Sequence, residues 1–514
     1  MPQPTQFQEG VTRRQFRTIM AGLLGVLTLA SLDQNIVATA LPRIVSDLGG
    51  LAHLSWVVAA FLVAATATTP LYGKLSDTYG RKPLFFVAVG IFLVGSALCG
   101  LSRDMTQLII FRAVQGLGAG GLITLSQTTI GDLLSPRERG RYQGLFTAVF
   151  AACSVAGPLL GGFLTDALSW RWIFYINLPV GAVALGLIAI ALPPPRQVVH
   201  HRIDFLGAFL LTLGTVCTIL VLTLDSTREA WSRPGTWIEA GVAVLSFVLL
   251  AVWERRAAEP VLPPRLFRDR VFLVAAPTMG ITAPALFGAV VFLPLFFQLV
   301  LGAPASKAGL MLSPLMGGVI VASVVGGRLV SKTGRYKLLP VSGLTVAVCA
   351  FVALSWLARW GQSVLALELS LVGLGLGLGL VMPNLTTAIQ NAVNPADLGV
   401  ATSAASFFRS LGGSLGVALS GAYMTRQLHR LLPPGHAEQM GSSVVERSIT
   451  AITALPAPER LLVTDAYRHA NGSTFLLGAV VAGMGLLLVL TLPERPLRTR
   501  AELTGEPPAD VEAA

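Results

Sequence analysis

The feature that most constrains this chain is the length of its apolar blocks. Runs of about 20 residues with few charges recur from residue 16 to residue 492, separated by short basic loops. A helix of that length matches the hydrocarbon thickness of a bilayer, and a surface helix of a water-soluble fold would alternate with polar faces instead. Charged residues make up 12% of the 514, against roughly 25% in soluble globular domains. The expected fold class is therefore an all-α polytopic membrane protein. The blocks predict spans at 16–40, 53–72, 83–102, 106–128, 141–163, 171–192, 204–224, 235–254, 271–300, 306–327, 338–358, 363–389, 400–425 and 473–492, fourteen transmembrane helices in all. An even count puts both termini on one side. Lys and Arg concentrate at the termini and in every second loop, so both ends are expected in the cytoplasm, with the chain in the inner (plasma) membrane.

The net charge of +11 does not point to nucleic acid, because the basic residues sit in the inter-span loops where topology uses them. Cys99, Cys153, Cys217 and Cys349 all fall inside apolar blocks without disulfide or metal spacing, and each reads as a small buried hydrophobe. The six histidines avoid the span interiors and show no metal-ligand spacing, so no metal site is expected. The first block follows Arg13, Arg14 and Arg17 and ends near a cleavage-like Ala38-Thr39-Ala40. It is longer than a signal-peptide core and further spans follow, so it reads as an uncleaved first helix. The large extramembrane piece is 426–472, punctuated by Pro433, Pro434, Pro456 and Pro458 and able to form one or two short helices; the polar tail 497–514 is expected to be disordered.

An internal repeat organises the spans. Residues 73–82 (GKLSDTYGRK) align without gaps with residues 327–336 (GRLVSKTGRY) at an offset of 254. Gly144, Gly157 and Gly161 recur as Gly399, Gly412 and Gly416 at an offset of 255. Two loci with nearly one offset predict a duplicated transport core: a six-helix bundle over 1–192, two inserted helices and a cytoplasmic loop over 193–270, and a second six-helix bundle over 271–496. In the first repeat locus, Gly73 and Gly80 permit a tight turn, Asp77 can accept hydrogen bonds at a helix N-terminus, and Arg81 and Lys82 hold the loop on the cytoplasmic side. This segment serves as a topology anchor, a conformational latch, or both. Its counterpart carries Ser331 in place of the acid.

Six segments now resemble one family. They are LDQNIVATALP at 32–42, GKLSDTYGRK at 73–82, RAVQGLG at 112–118, GPLLGG at 157–162, WRWIF at 170–174 leading to Asn177 and Pro179, and FFRSLGG at 407–413. The chain resembles the major facilitator superfamily, and within it the fourteen-span drug:proton antiporter branch. The resemblance implies alternating access by rocking of two bundles, with drugs or other amphipathic, hydrophobic compounds expelled as protons enter. It implies a proton gradient as the driving force and no cofactor, with small-molecule substrates, protons and membrane lipid as partners. Gly157, Pro158, Gly161 and Gly162 match the motif associated with antiporters, and Arg112 to Gly118 the proton-relay motif. Relatives with this span count also move lipids, siderophores or small metabolites, so a narrower client is the alternative.

An ionisable group inside a span costs about 2.5–3.5 kcal/mol on insertion scales and is a functional candidate by default. Asp33 is the expected proton carrier, a carboxyl in an apolar cavity where burial penalises the charged form. Arg112 keeps its proton and acts electrostatically on such a carboxyl, with Gln115 one turn on extending the network. Asn35, Gln298, Glu368, Asn384 and Arg409 are the substrate or cavity candidates. Glu368 could bind cations or reach the interface; Arg409 could gate the second bundle, snorkel, or pair structurally. The glycines at 373, 375, 377 and 379 permit close helix contact and bending. No phosphate-binding Gly-x-x-x-x-Gly-Lys-Ser/Thr loop occurs, which argues against ATP drive. No paired catalytic constellation occurs, which argues against an enzyme, and the intramembrane charges argue against a non-transporting scaffold.

Overall fold

The computed structural model describes residues 12–49, 54–193, 204–223, 234–257, 260–303, 305–361, 363–394, 397–432 and 456–498. Among these the chain is helical, with no strand. The helices are α1 (Arg13–Leu48), α2 (Leu54–Tyr79), α3 (Arg81–Leu101), α4 (Met105–Leu133), α5 (Pro136–Ala167), α6 (Trp172–Tyr175), α7 (Asn177–Ala191), α8 (Phe205–Thr223), α9 (Pro234–Trp253), α10 (Arg270–Leu299), α11 (Ala305–Leu310), α12 (Ser313–Thr333), α13 (Leu338–Trp360), α14 (Val364–Gly379), α15 (Met382–Ala392), α16 (Leu398–Leu431) and α17 (Ala457–Leu490).

Side chains at the ends set several of these boundaries. Asp104 accepts from the Gln107 N–H at 2.8 Å and Ser363 from the Ala366 N–H at 3.3 Å, each supplying an acceptor for a donor the first turn cannot satisfy itself. Gly80, at φ +88°, joins α2 to α3 in a single-residue turn that a Cβ would strain. The expected span 363–389 is broken: α14 stops at Gly379 and α15 restarts at Met382, ahead of Pro383. Pro fixes its own φ and lacks an N–H, so it sits well in the first turn of the new helix.

Twelve helices among the described residues are long and apolar enough to cross a membrane. Two of the expected spans are not among those twelve. The apolar stretch of α8, Phe205–Val221, is shorter, and in α16 the run is diluted by Ser403, Ser406, Arg409, Ser410 and Ser414. Of the stretch 426–472, residues up to Leu431 extend α16 and those from Ala457 begin α17; 433–455 lie outside the described residues. Leu497 and Arg498, assigned to the tail from sequence, pack on the helices: Leu497 is buried and the Arg498 N–H donates to Asn391 Oδ1 at 2.9 Å. Residues 499–514 lie outside the described residues.

Packing sorts the helices. α1 packs on α5 and α7, and α4 on α2 and α3, around apolar clusters that include Leu23, Phe85, Phe92 and Ile188. α10 packs on α16 and α17, and α14 on α12 and α13, around Phe296, Phe351, Leu371 and Phe475. Two seams join these groups, α2 against α16 and α5 against α12. The helix pair α8–α9 lies over the first seam, where Leu210, Leu211 and Leu250 meet Phe407, Leu71 and Leu411.

The seams are closed by glycine. A Cβ on Gly73 would meet the Gly399 carbonyl at 2.7 Å and collide with Ser403; one on Gly327 would collide with the Gly140 carbonyl, and one on Gly144 with Ser323. Gly73 therefore sits within α2 at a helix contact, and not in the turn predicted from sequence. Within each group the repeated glycines do a second job. Gly157 and Gly161 press α5 onto α1 at Asn35 and Ile36, as Gly412 and Gly416 press α16 onto α10 at Gly280 and Pro284. Without side chains in the way, backbones approach closely enough to gain dispersion contact along the whole crossing.

Candidate functional site

Asp33 and Arg112 meet in the first helix group. Asp33 is fully buried and Arg112 is 2% exposed. Arg112 Nη1 donates to Asp33 Oδ2 at 2.7 Å and to Gln115 Oε1 at 2.7 Å, and its Nε donates to the Val57 carbonyl at 3.3 Å. Asp33 Oδ1 accepts from Gln115 Nε2 at 2.8 Å and from Asn177 Nδ2 at 2.9 Å. Ser96 Oγ accepts from both amides, at 3.2 Å and 2.9 Å, and donates to the Phe174 carbonyl at 2.9 Å. The guanidinium carbon also stands 4.1 Å from the centre of the Phe61 ring, a cation–π contact.

Five helices converge here: α1 brings Asp33, α2 Phe61 and Val57, α3 Ser96, α4 Arg112 and Gln115, and α7 Asn177. The setting corrects one expectation. Asp33 does not lie in an apolar cavity; three donors hold its carboxylate, and burial is offset by an ion pair and two amide hydrogen bonds. Such a pair is costly to leave half-made, about 3–5 kcal/mol when one partner is removed. Ser96 and Asn177 were not identified from sequence as site residues. The available signal was that a buried amide in a span needs a partner.

The antiporter-type glycines adjoin this network. Asn35, two residues from Asp33, donates its Nδ2 to the Ser31 carbonyl at 2.7 Å and lies under Gly157, whose Cβ would come within 2.7 Å of the Asn35 Cβ. Pro158 sits inside α5 beside it. Gly162 differs from its neighbours, facing open space.

A second cluster lies at the end that carries the α2–α3 turn. Arg81 pairs with Asp77 at 2.7 Å and Asp132 at 2.7 Å and reaches Ser76 Oγ. Asp77 Oδ2 accepts the Val400 N–H at 3.0 Å, so the acid caps the first turn of α16 across the seam. At the other seam Arg137 Nε and Nη2 donate to the Ser331 and Lys332 carbonyls at 2.9 Å and 3.2 Å. The missing acid at Ser331 is thus answered by an arginine from the partner helix.

The remaining candidates scatter. Gln298 is partly buried in the last turn of α10, and Glu368 partly buried in the second turn of α14, far along that helix from Gly379. Asn384 is 1% exposed and donates to the Leu380 carbonyl at 2.6 Å, leaving Oδ1 without a partner. Arg409 is partly buried on α16. Cys99, Cys153 and Cys217 are buried as expected, whereas Cys349 is exposed.

A duplicated all-helical fold, paired across two glycine seams and holding a buried carboxylate–guanidinium pair, defines a membrane transporter rather than an enzyme. Residues 23–417 match the Major Facilitator Superfamily, and the chain belongs to that family. It is 40% identical over 484 residues to an uncharacterized MFS-type transporter of Mycobacterium tuberculosis, covering 92% of this chain and 69% of that one. It is 34% identical over 500 residues to Multidrug resistance protein 3 of Bacillus subtilis, covering 95% and 97% of the two chains. The human organic anion transporter MFSD10 (TETRAN) superposes with a TM-score of 0.63 at 16% identity, over 93% of this chain and 100% of that chain, and shares the fold.

Proposed function

We propose that this transporter is a proton-coupled antiporter of the fourteen-span branch, exporting drug-like or other amphipathic compounds by alternating access. α8 and α16 supply the two further spans, giving six helices over 1–192, the inserted pair within 193–270, and six over 271–496. Both termini face the cytoplasm of the inner membrane. The names of similar chains such as Multidrug resistance protein 3 support export.

The observation that carries the reading is Asp33 held by Arg112, Gln115 and Asn177 beside the α1–α5 contact at Gly157. A proton arriving at Asp33 neutralises it, and Arg112 then loses its counter-charge. The buried guanidinium must find a new acceptor, and α1 is free to shift against α4 and α5. In this reading the glycine-packed seams beside Asp77 and Arg137 form the cytoplasmic gate, shut in this conformation. Proton release toward the cytoplasm restores the pair, and the gradient sets the direction of the cycle without ATP.

The test is purified protein in liposomes with a trapped pH dye and an imposed proton gradient. Drugs should accelerate gradient collapse in the wild type, while Asp33→Asn, folded and inserted at wild-type level, should not respond. Full drug-stimulated proton flux through Asp33→Asn would overturn the assignment. Silence of the wild type across chemically distinct drugs would instead favour a single lipid, siderophore or metabolite client.

A further inference from the structure

We infer that the central space between the two helix groups is an anion-recognising site, with Arg409 as its charge, so that preferred clients carry a carboxylate or comparable acidic group. The inference rests on the transport reading above and specifies its substrate class.

The placement follows from contacts along one stripe of α16. Thr402 Oγ1 accepts from Gln390 Nε2 at 3.2 Å, and Ser406 Oγ bonds to Gln127 Oε1 on α4 at 3.4 Å. A Cβ on Gly413 would come within 2.8 Å of the Phe287 ring. Residues three, four and seven apart share a helix face, so Arg409 projects between the Ser406–Gln127 layer and the Gly413–Phe287 layer. Phe287 in turn packs edge-on against Phe150 of α5 at 6.4 Å, which places this layer between the two groups. Thr147, Phe150, Phe287 and Arg409 are all only partly buried, although their stripes face the interior. Each therefore keeps some exposed surface within this layer.

Arg409 makes no ion pair or hydrogen bond among the described residues. The contrast with Arg112 is direct: that guanidinium, 2% exposed, is fully committed to Asp33, Gln115 and Val57. A second donor points the same way. Gln143, 2% exposed and one and two turns from Thr147 and Phe150 on α5, has an Nε2 with no partner. A guanidinium presents up to five N–H donors in a planar fork that matches a carboxylate. A fixed cation inside a span without a neutralising partner is expensive to maintain, and a bound anion supplies what the described residues do not. Snorkelling does not account for it, because the stripe packs on Gln390, Gln127 and Phe287 and not on the interface.

The full-length protein is compared with Arg409→Gln and Arg409→Lys on a matched trio of fluorescent naphthalene amphiphiles ending in a carboxylate, a carboxamide or a trimethylammonium group. Binding is read in detergent by equilibrium dialysis and export in proteoliposomes. The wild type should favour the carboxylate probe over the ammonium probe, and Arg409→Gln should weaken carboxylate binding by about 10–100-fold while moving the carboxamide less than about threefold, the size expected of a charge-assisted hydrogen bond. Arg409→Lys should retain part of the preference. Equal losses for all three probes, or a wild type that binds the ammonium probe as well as the carboxylate, would overturn the inference. If the wild type exports none of the probes yet binds the carboxylate selectively through Arg409, the anion site stands and the export reading is what fails.

Discussion

At the scale of single residues, the network around Asp33 separates what charge announces from what only the fold reveals. Asp33 and Arg112 were legible because an ionisable group in an apolar run is conspicuous, and Gln115 because it lies one helical turn from Arg112. Ser96 and Asn177 are neutral, belong to α3 and α7, and become neighbours only when those helices pack. Nor could sequence show that Arg409 has no counter-ion among the described residues, since that is a property of its surroundings. The third donor to Asp33 should be measurable. Asn177→Leu leaves the carboxylate with Arg112 and Gln115 alone, and should cost about 1–3 kcal/mol of folding stability for the unmade bonds. A lowered thermal midpoint in detergent, together with reduced proton-coupled flux, checks it; an unchanged midpoint would show that Asn177 contributes little.

Among the elements, the glycine motif of α5 separates into members with opposite demands. Gly157 and Gly161 touch α1, where a Cβ would come within 2.7 Å of Asn35 Cβ and 2.6 Å of the Ile36 carbonyl, whereas Gly162 faces open space. Gly157→Val and Gly161→Val should each destabilise the protein by about 1–3 kcal/mol through overpacking, while Gly162→Val should leave the thermal midpoint near wild type. Uniform tolerance at all three would refute this division of the motif. The break between α14 and α15 belongs to this scale too. The glycines at 373, 375, 377 and 379 were visible as a place where a helix could bend, but the interruption at Leu380 and Val381 depends on how α14 seats against α12 and α13. The Gly73 contact was misread from sequence for a related reason: a glycine near a turn and a glycine at a helix crossing look alike until the crossing is seen.

For the whole molecule, the repeat offset of about 254 residues announced a duplication and left its geometry open. The two copies interlock crosswise: the α2 of one copy meets the α16 of the other, and the α12 meets the α5. Asp77 holds one seam through the Val400 N–H, and Arg137 holds the other through the Ser331 carbonyl. Removing one hold should loosen the closed end without unfolding either group. In a background with the four cysteines replaced, Ser403→Cys should react slowly with a membrane-impermeant maleimide and faster once Asp77→Ala is added. No change in labelling rate would mean that the glycine packing alone keeps that end shut. The two seams also differ in what borders them. The pair α8–α9 stands in front of the α2–α16 seam, while Val321, Val325 and Leu329 of α12 and Leu145 of α5 remain exposed beside the other. Acyl chains would lap directly against the second seam and be fended off from the first. A greasy client drifting within the leaflet would therefore find one side door, where an unadorned two-fold duplication would have offered two.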